Sequence, residues 1–315
     1  MIPRPVKNCT IALPQKTVAG AHQPRAGVES TLTPMRKNAL VLLPLVFCLA
    51  AGSWIARAQQ PAAPSKLEKV KDDLYVISGD GGNTTVYLTD AGVILVDAKF
   101  ERDHDDIMDK VKSLTDKPIK YVISTHPHGD HTGGNEKMRP FAVIVGHFDA
   151  RADMIRQKLP GAPEVTFTDG LSINLGGKEV VARHFSPGHT DGDAVVYFPA
   201  LRVVSMGDMF NTGTFGVHID YKSGGSIMEW TKTLDGALKW DFDTVIPGHG
   251  PVATRNDLIK FRAAVDATRT RVRAMVREGK TKDDVAKVLI DEFGWNPMGL
   301  GIRNDVPGLM DELKP

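Results

Sequence analysis

Short apolar runs broken by Gly and Asp dominate the stretch 74–96. Residues 74–77, 85–88 and 93–96 carry the branched and aromatic side chains of strands, and the residues between them are turn formers. A helix is expected from about Asp103 as N-cap, with Ile107, Val111 and Leu114 on one face. Residues 119–124 read as a buried strand running straight into a histidine-rich stretch. Another strand follows at 142–145, then a helix over about 149–158. A second strand-rich region covers 171–175, 179–183, 194–198 and 202–205, with a short strand at Val245 and Ile246. Helical periodicity spans 227–238 and about 255–276. A last helix is expected to start at Thr281, where Thr281 and Asp284 match a capping box. Two strand-rich halves, each followed by helices, predict an α+β (α/β) protein of two packed sheets covered by helices.

The N-terminal region follows another pattern. Arg36 and Lys37 precede an apolar run at 39–50 and a small-residue site at Ala56, Arg57 and Ala58, the layout of a secretory signal peptide. The run falls short of the roughly 20 residues needed to span a bilayer, so an uncleaved anchor is the weaker reading. The expected organisation is a leader over 1–34 upstream of a true start at Met35, a signal peptide over 35–58, a linker over 59–66, and a catalytic domain over 67–315 with C-terminal helices from about 254. The mature protein would be periplasmic or secreted, with no stable membrane association after cleavage. Both cysteines, Cys9 and Cys48, fall in the part expected to be lost, which excludes a disulfide framework, a thiolate metal site and a cysteine nucleophile. A formal net charge of +1 provides no electrostatic footprint for nucleic acid.

Chemistry concentrates after the strand at 119–124. His126, His128, Asp130 and His131 sit within six residues, interleaved with Pro127 and Gly129, which let a tight loop aim successive side chains at one point. Such groups gain little from packing at a strand end unless something electropositive lies between them. Neutral imidazoles with a carboxylate suit Zn(II), and Fe(II) or Mn(II) are compatible.

This segment resembles the H-x-H-x-D-H signature of the metallo-β-lactamase superfamily. Further motifs follow in the family's order: Val96-Asp97, Ser186-Pro187-Gly188-His189-Thr190, Met206-Gly207-Asp208-Met209-Phe210 and Ile246-Pro247-Gly248-His249-Gly250. The resemblance covers roughly residues 69–252 and implies a four-layer αββα sandwich of two mixed sheets. It also implies two zinc ions. His126, His128 and His189 would hold one, and Asp130, His131 and His249 the other, with Asp208 between them and Asp97 orienting the loop from behind. Two adjacent dications acidify a shared water and polarise the substrate oxygen. Asp130 would hold that water in line and accept its proton.

The chain departs from many β-lactamases of the superfamily. Asp208 stands where they carry a cysteine, and Asn211 where they carry a lysine three positions later. The expected activity is therefore hydrolysis of an amide, ester or lactone bond in a small molecule, with β-lactams left open. A glyoxalase II-like thioesterase and a single-iron sulfur dioxygenase of the same fold are the alternatives. A nuclease is disfavoured by the neutral charge, and a non-catalytic binding module by the full ligand set. Residues 212–226 are expected to form a loop at the metal mouth, with Asn211, His218, Asp220 and Lys222 as substrate contacts. His104, His147 and His184 read as surface or core histidines, and Trp230 and Trp240 as packing.

Overall fold

The computed structural model describes residues 65–213 and 217–315. The expected leader and signal peptide, and the linker as far as Pro64, lie outside the described residues.

The apolar runs become two sheets. In the first, β1 (Lys66–Lys71), β2 (Leu74–Ser78), β3 (Thr84–Thr89) and β4 (Gly92–Val96) form an antiparallel meander. To it β5 (Ile119–Ile123), β6 (Val143–His147) and β7 (Val165–Phe167) add in parallel, giving the order β1-β2-β3-β4-β5-β6-β7. All residues of β4 are buried, as expected of a central strand covered on both faces. The second sheet contains β8 (Gly170–Leu175), β9 (Lys178–Arg183), β10 (Val195–Phe198), β11 (Val203–Ser205), β12 (Thr244–Ile246) and β13 (Ala253–Thr254), ordered β13-β12-β11-β10-β9-β8. Only its β11–β12 pair is parallel.

Three apolar clusters define the layers. Leu74, Val76, Ile94, Val96 and Ile123 from the first sheet meet Val180, Ala182, Val196, Val203 and Ile246 from the second. The outer face of the first sheet packs Val93, Leu95 and Val122 against Ile107 and Val111 of α1 (His104–Leu114). Beyond α1 come the short α2 (Gly129–Thr132) and α3 (Asn135–Met138), and then α4 (Phe148–Gln157). The outer face of the second sheet is covered by α5 (Ile227–Ala237), α6 (Arg255–Arg277), α7 (Lys282–Asp291) and α8 (Val306–Glu312), around Trp230, Leu234, Val265 and Leu309. This is the αββα sandwich of two mixed sheets.

Several elements differ from expectation. Strand β1 begins at Lys66, inside the segment assigned to the linker, and its charged residues suit an edge strand. Strands β7 and β13 are too short to show a pattern in sequence. The helix after Thr281 is not the last, because a π-helical turn at Gly301–Asp305 leads into α8. Asp103 precedes α1 without capping it. Its carboxylate instead accepts from Phe100 N at 3.2 Å and closes a 3-10 turn. The capping box at Thr281 and Asp284 forms as expected.

Candidate metal centre

The parallel strands explain where the polar residues gather. The chain leaves β4, β5, β11 and β12 at their C-terminal ends and enters the loops carrying Asp97, the 126–131 segment, Asp208 and His249. Ligands characteristically bind beyond the carboxyl ends of such strands. His189 joins them from the β9–β10 connection.

All seven expected ligands converge. His128 Nδ1 lies 2.9 Å from His189 Nε2, although the two are 61 residues apart in sequence. His131 Nε2 lies 3.2 Å from His249 Nε2, and Asp130 Oδ2 lies 3.2 Å from the same His249 nitrogen. Asp208 stands between the groups, with Oδ1 3.3 Å from His131 Nε2 and 3.4 Å from His249 Nε2, and Oδ2 3.7 Å from His189 Nε2. Three sets have the compactness to hold a metal ion: His126, His128 and His189; His126, His131 and Asp208; and Asp130, His131 and His249.

Bonds on the far side of the rings show what the middle requires. His128 Nε2 meets Asp220 Oδ2 at 2.9 Å and His189 Nδ1 meets the carbonyl of His218 at 2.7 Å. Both outer partners are acceptors, so these nitrogens carry the ring protons and two lone pairs face each other across 2.9 Å. His131 Nδ1 likewise donates to Asp97 Oδ2 at 2.8 Å, turning its Nε2 lone pair towards the oxygens of Asp130 and Asp208. His126 Nε2 and Asp208 Oδ1 are buried without a hydrogen-bond partner. Lone pairs and carboxylate oxygens facing one another in a buried space call for cations, and the donor set fits zinc.

The electrostatics agree. Burial lowers the pKa of His189 to about 3 and that of His126 well below its ordinary value, keeping both neutral and able to coordinate. At His131 burial also opposes charge, but Asp130, Asp208 and Asp97 outweigh it and raise the pKa well above normal. His249 is raised in the same way by Asp208 and Asp130 against its own burial. Burial would raise Asp130 and Asp208, yet the surrounding imidazoles hold both below the ordinary range.

Asp97 takes the place behind the loop expected of it. Its Oδ1 accepts from Thr125 N and its Oδ2 from Thr125 Oγ1, both at 2.8 Å, and Thr125 Oγ1 lies 3.0 Å from His126 Nδ1. Of the expected substrate contacts, three already have partners inside the protein. Asn211 Oδ1 accepts from His249 N at 2.8 Å, Asp220 holds His128, and His218 Nδ1 lies 2.8 Å from Asp305 Oδ2. Lys222 is exposed, and its ammonium makes no ion pair among the described residues. His147 and His184 stack on each other with centroids 4.1 Å apart, and Trp230 is buried with Nε1 on Met209 O, in line with structural roles.

Sequence reasoning missed the loop at 80–83. Asn83 Nδ2 donates to Pro247 O and Gly250 O, each at 2.9 Å, and so ties down the turn that carries His249. A Cβ on Gly82 would lie 2.2 Å from the His131 ring, and one on Gly248 would lie 2.1 Å from Asp208 Oδ1; neither position has room for a side chain. The paired glycines before Asn83 at a strand edge were the available signal.

A two-sheet sandwich with this His/Asp cluster at its strand ends defines a metallo-β-lactamase fold. The chain belongs to the Metallo-beta-lactamase superfamily, whose sequence model matches residues 77–249, more than half of its length. It is similar to Metallo-beta-lactamase IND-1 of Chryseobacterium indologenes, with 24% identity over 197 residues that span 57% of this chain and 80% of that protein. It is also similar to the 2,4-dinitroanisole O-demethylase subunit alpha of Nocardioides sp. (strain JS1661), 28% identical over 177 residues, 55% of this chain and 53% of that one. Among solved structures, the metallo-beta-lactamase FIM-1 from Pseudomonas aeruginosa in the mono-zinc form superposes with a TM-score of 0.57 at 21% identity, covering 66% of this chain and 96% of that one. A metallo-β-lactamase-like hydrolase with a candidate metal-binding His/Asp cluster is the class these observations define.

Proposed function

We propose that this protein is an exported hydrolase using two zinc ions to cleave an amide, ester or lactone bond in a small molecule. The observation that carries the reading is the set of imidazoles whose outer nitrogens are occupied and whose inner lone pairs converge around Asp208. His126, His128 and His189 would hold one ion, Asp130, His131 and His249 the other, and Asp208 would lie between both. The ions supply Lewis acidity and a water acidified to react near neutral pH.

The remaining work falls to the chain. Asp130, partly exposed and 3.2 Å from His249 Nε2, would accept the proton of the attacking water. Asp97, Thr125 and Asp220 keep the rings turned inward. Export rests on the basic, apolar and small-residue succession from Arg36 to Ala58.

The test is a metal-free preparation assayed against β-lactam, lactone, thioester, phosphoester and nitroaryl methyl ether reporters before and after zinc is restored. Activity should vanish and return with two zinc ions per chain. One bound iron with oxygen uptake would instead establish the dioxygenase alternative. Asp130→Asn should lower kcat by about 100-fold or more, the usual range for a proton-transfer group; full turnover would remove Asp130 from the reaction. Lys222→Ala should raise KM for anionic substrates only; KM values unchanged from wild type for charged and neutral analogues alike would show that Lys222 does not contact them.

A further inference from the structure

Four histidines of the cluster can be traced outward to a carboxylate, by three kinds of link. His131 and His128 meet theirs directly, at Asp97 and Asp220. His126 reaches Asp97 through the Thr125 hydroxyl. His189 takes a longer route. Its Nδ1–H donates to the carbonyl of His218 at 2.7 Å, and that carbonyl shares a peptide group with the N–H of Ile219. Ile219 N in turn donates to Asp305 Oδ2 at 2.7 Å, and His218 Nδ1 meets the same oxygen at 2.8 Å. The peptide group is planar and conjugated, so a carboxylate drawing on its N–H makes its C=O a stronger acceptor. Asp305 is 2% exposed, so water scarcely competes for it.

We propose that Asp305 is the positioning carboxylate of His189, acting through the peptide group between His218 and Ile219. Carboxylates behind metal-binding histidines fix the ring and raise its basicity; here a peptide plane stands between the two. The metal centre thereby extends into the segment that ends in α8, beyond the family-matched residues 77–249. A second carboxylate of that segment braces the same loop, since Glu312 Oε2 accepts from Tyr221 Oη at 2.9 Å and from Ile227 N at 3.0 Å. The proposal rests on the reading of His189 as a metal ligand.

The experiment is calorimetric titration of the metal-free full-length protein with zinc chloride, alongside its melting temperature, for wild type and three variants. Asp305→Ala should weaken one of the two binding steps by about 10- to 100-fold, the usual effect of losing such a partner, and leave the other step unchanged. Asp305→Asn retains an acceptor but not the charge, so it should fall between Asp305→Ala and wild type. It decides the matter if the alanine variant does not fold. Leu309→Ala, in the core under α8, should lower the melting temperature without changing zinc affinity. Wild-type affinity in both Asp305 variants would overturn the proposal, as would an equal loss of affinity in Leu309→Ala. A wild-type protein that takes up no zinc would instead refute the dinuclear reading itself.

Discussion

Behind the metal loop, Asp97 and Lys99 both adopt left-handed backbone conformations, with φ of 62° and 51°, which non-glycine residues rarely occupy. The turn they make sends Asp97 under His131 and buries Lys99 completely, with Nζ donating to the carbonyls of Asp80 and Gly82. Burial lowers the Lys99 pKa from 10.5 to about 8 despite the nearby carboxylates of Asp103 and Asp80. Below pH 8 the amine is charged in the folded and unfolded chains alike, and the full cost of burying charge is present. Between pH 8 and 10.5 the unfolded chain still binds the proton and the folded chain does not, so stability rises with pH across that window. The full effect is on the order of 3 kcal/mol. Urea denaturation of wild type and Lys99→Met at pH 7, 9 and 10.5 should show the difference shifting in favour of wild type as pH rises. A constant offset would mean that Lys99 does not titrate there.

Among the elements, legibility followed the strength of the periodic signal. Helix α6 buries Leu258, Val265, Val272 and Met275 on one side, the repeat visible in the sequence, and β4 and β5 were plain as apolar runs. Strand β1 was hidden because its residues are mostly charged, and what holds it is main-chain pairing with β2, from Lys66 opposite Ser78 onward. The box at the start of α7 was legible because it is wholly local: Asp284 N donates to Thr281 Oγ1 and Thr281 N to Asp284 Oδ2. Thr281→Ala should cost about 1 kcal/mol and lower the melting temperature by roughly 2–4 °C, with zinc affinity intact. A variant that melts with wild type would show that the cap contributes nothing to global stability.

For the molecule as a whole, the candidate ligands come from both halves of the sandwich. His126, His128, Asp130 and His131 follow the first sheet, and His189, Asp208 and His249 belong to connections of the second. Ions bound as proposed would therefore join the sheets across their shared rim. Metal that binds only the folded state stabilises it by about 2.7 kcal/mol at a hundredfold excess over Kd. Calorimetric scans should thus show a melting temperature that climbs with free zinc and falls on chelation. One independent of zinc would contradict the joining role.

The sequence by itself determined the local matters: the periodic helices and strands, the Thr281 cap, and the choice of the seven candidate ligands, because the motif order marked each of them. Asp97 apart, only the tertiary structure decided which groups stand behind them. Asp220 behind His128, Asn83 at the His249 turn and Asp305 behind His189 are ordinary polar residues in sequence, far along the chain from the groups they serve. Their contacts arise where loops from separate strands meet at one rim. A hydrogen bond across such a distance leaves no periodicity in the chain that forms it.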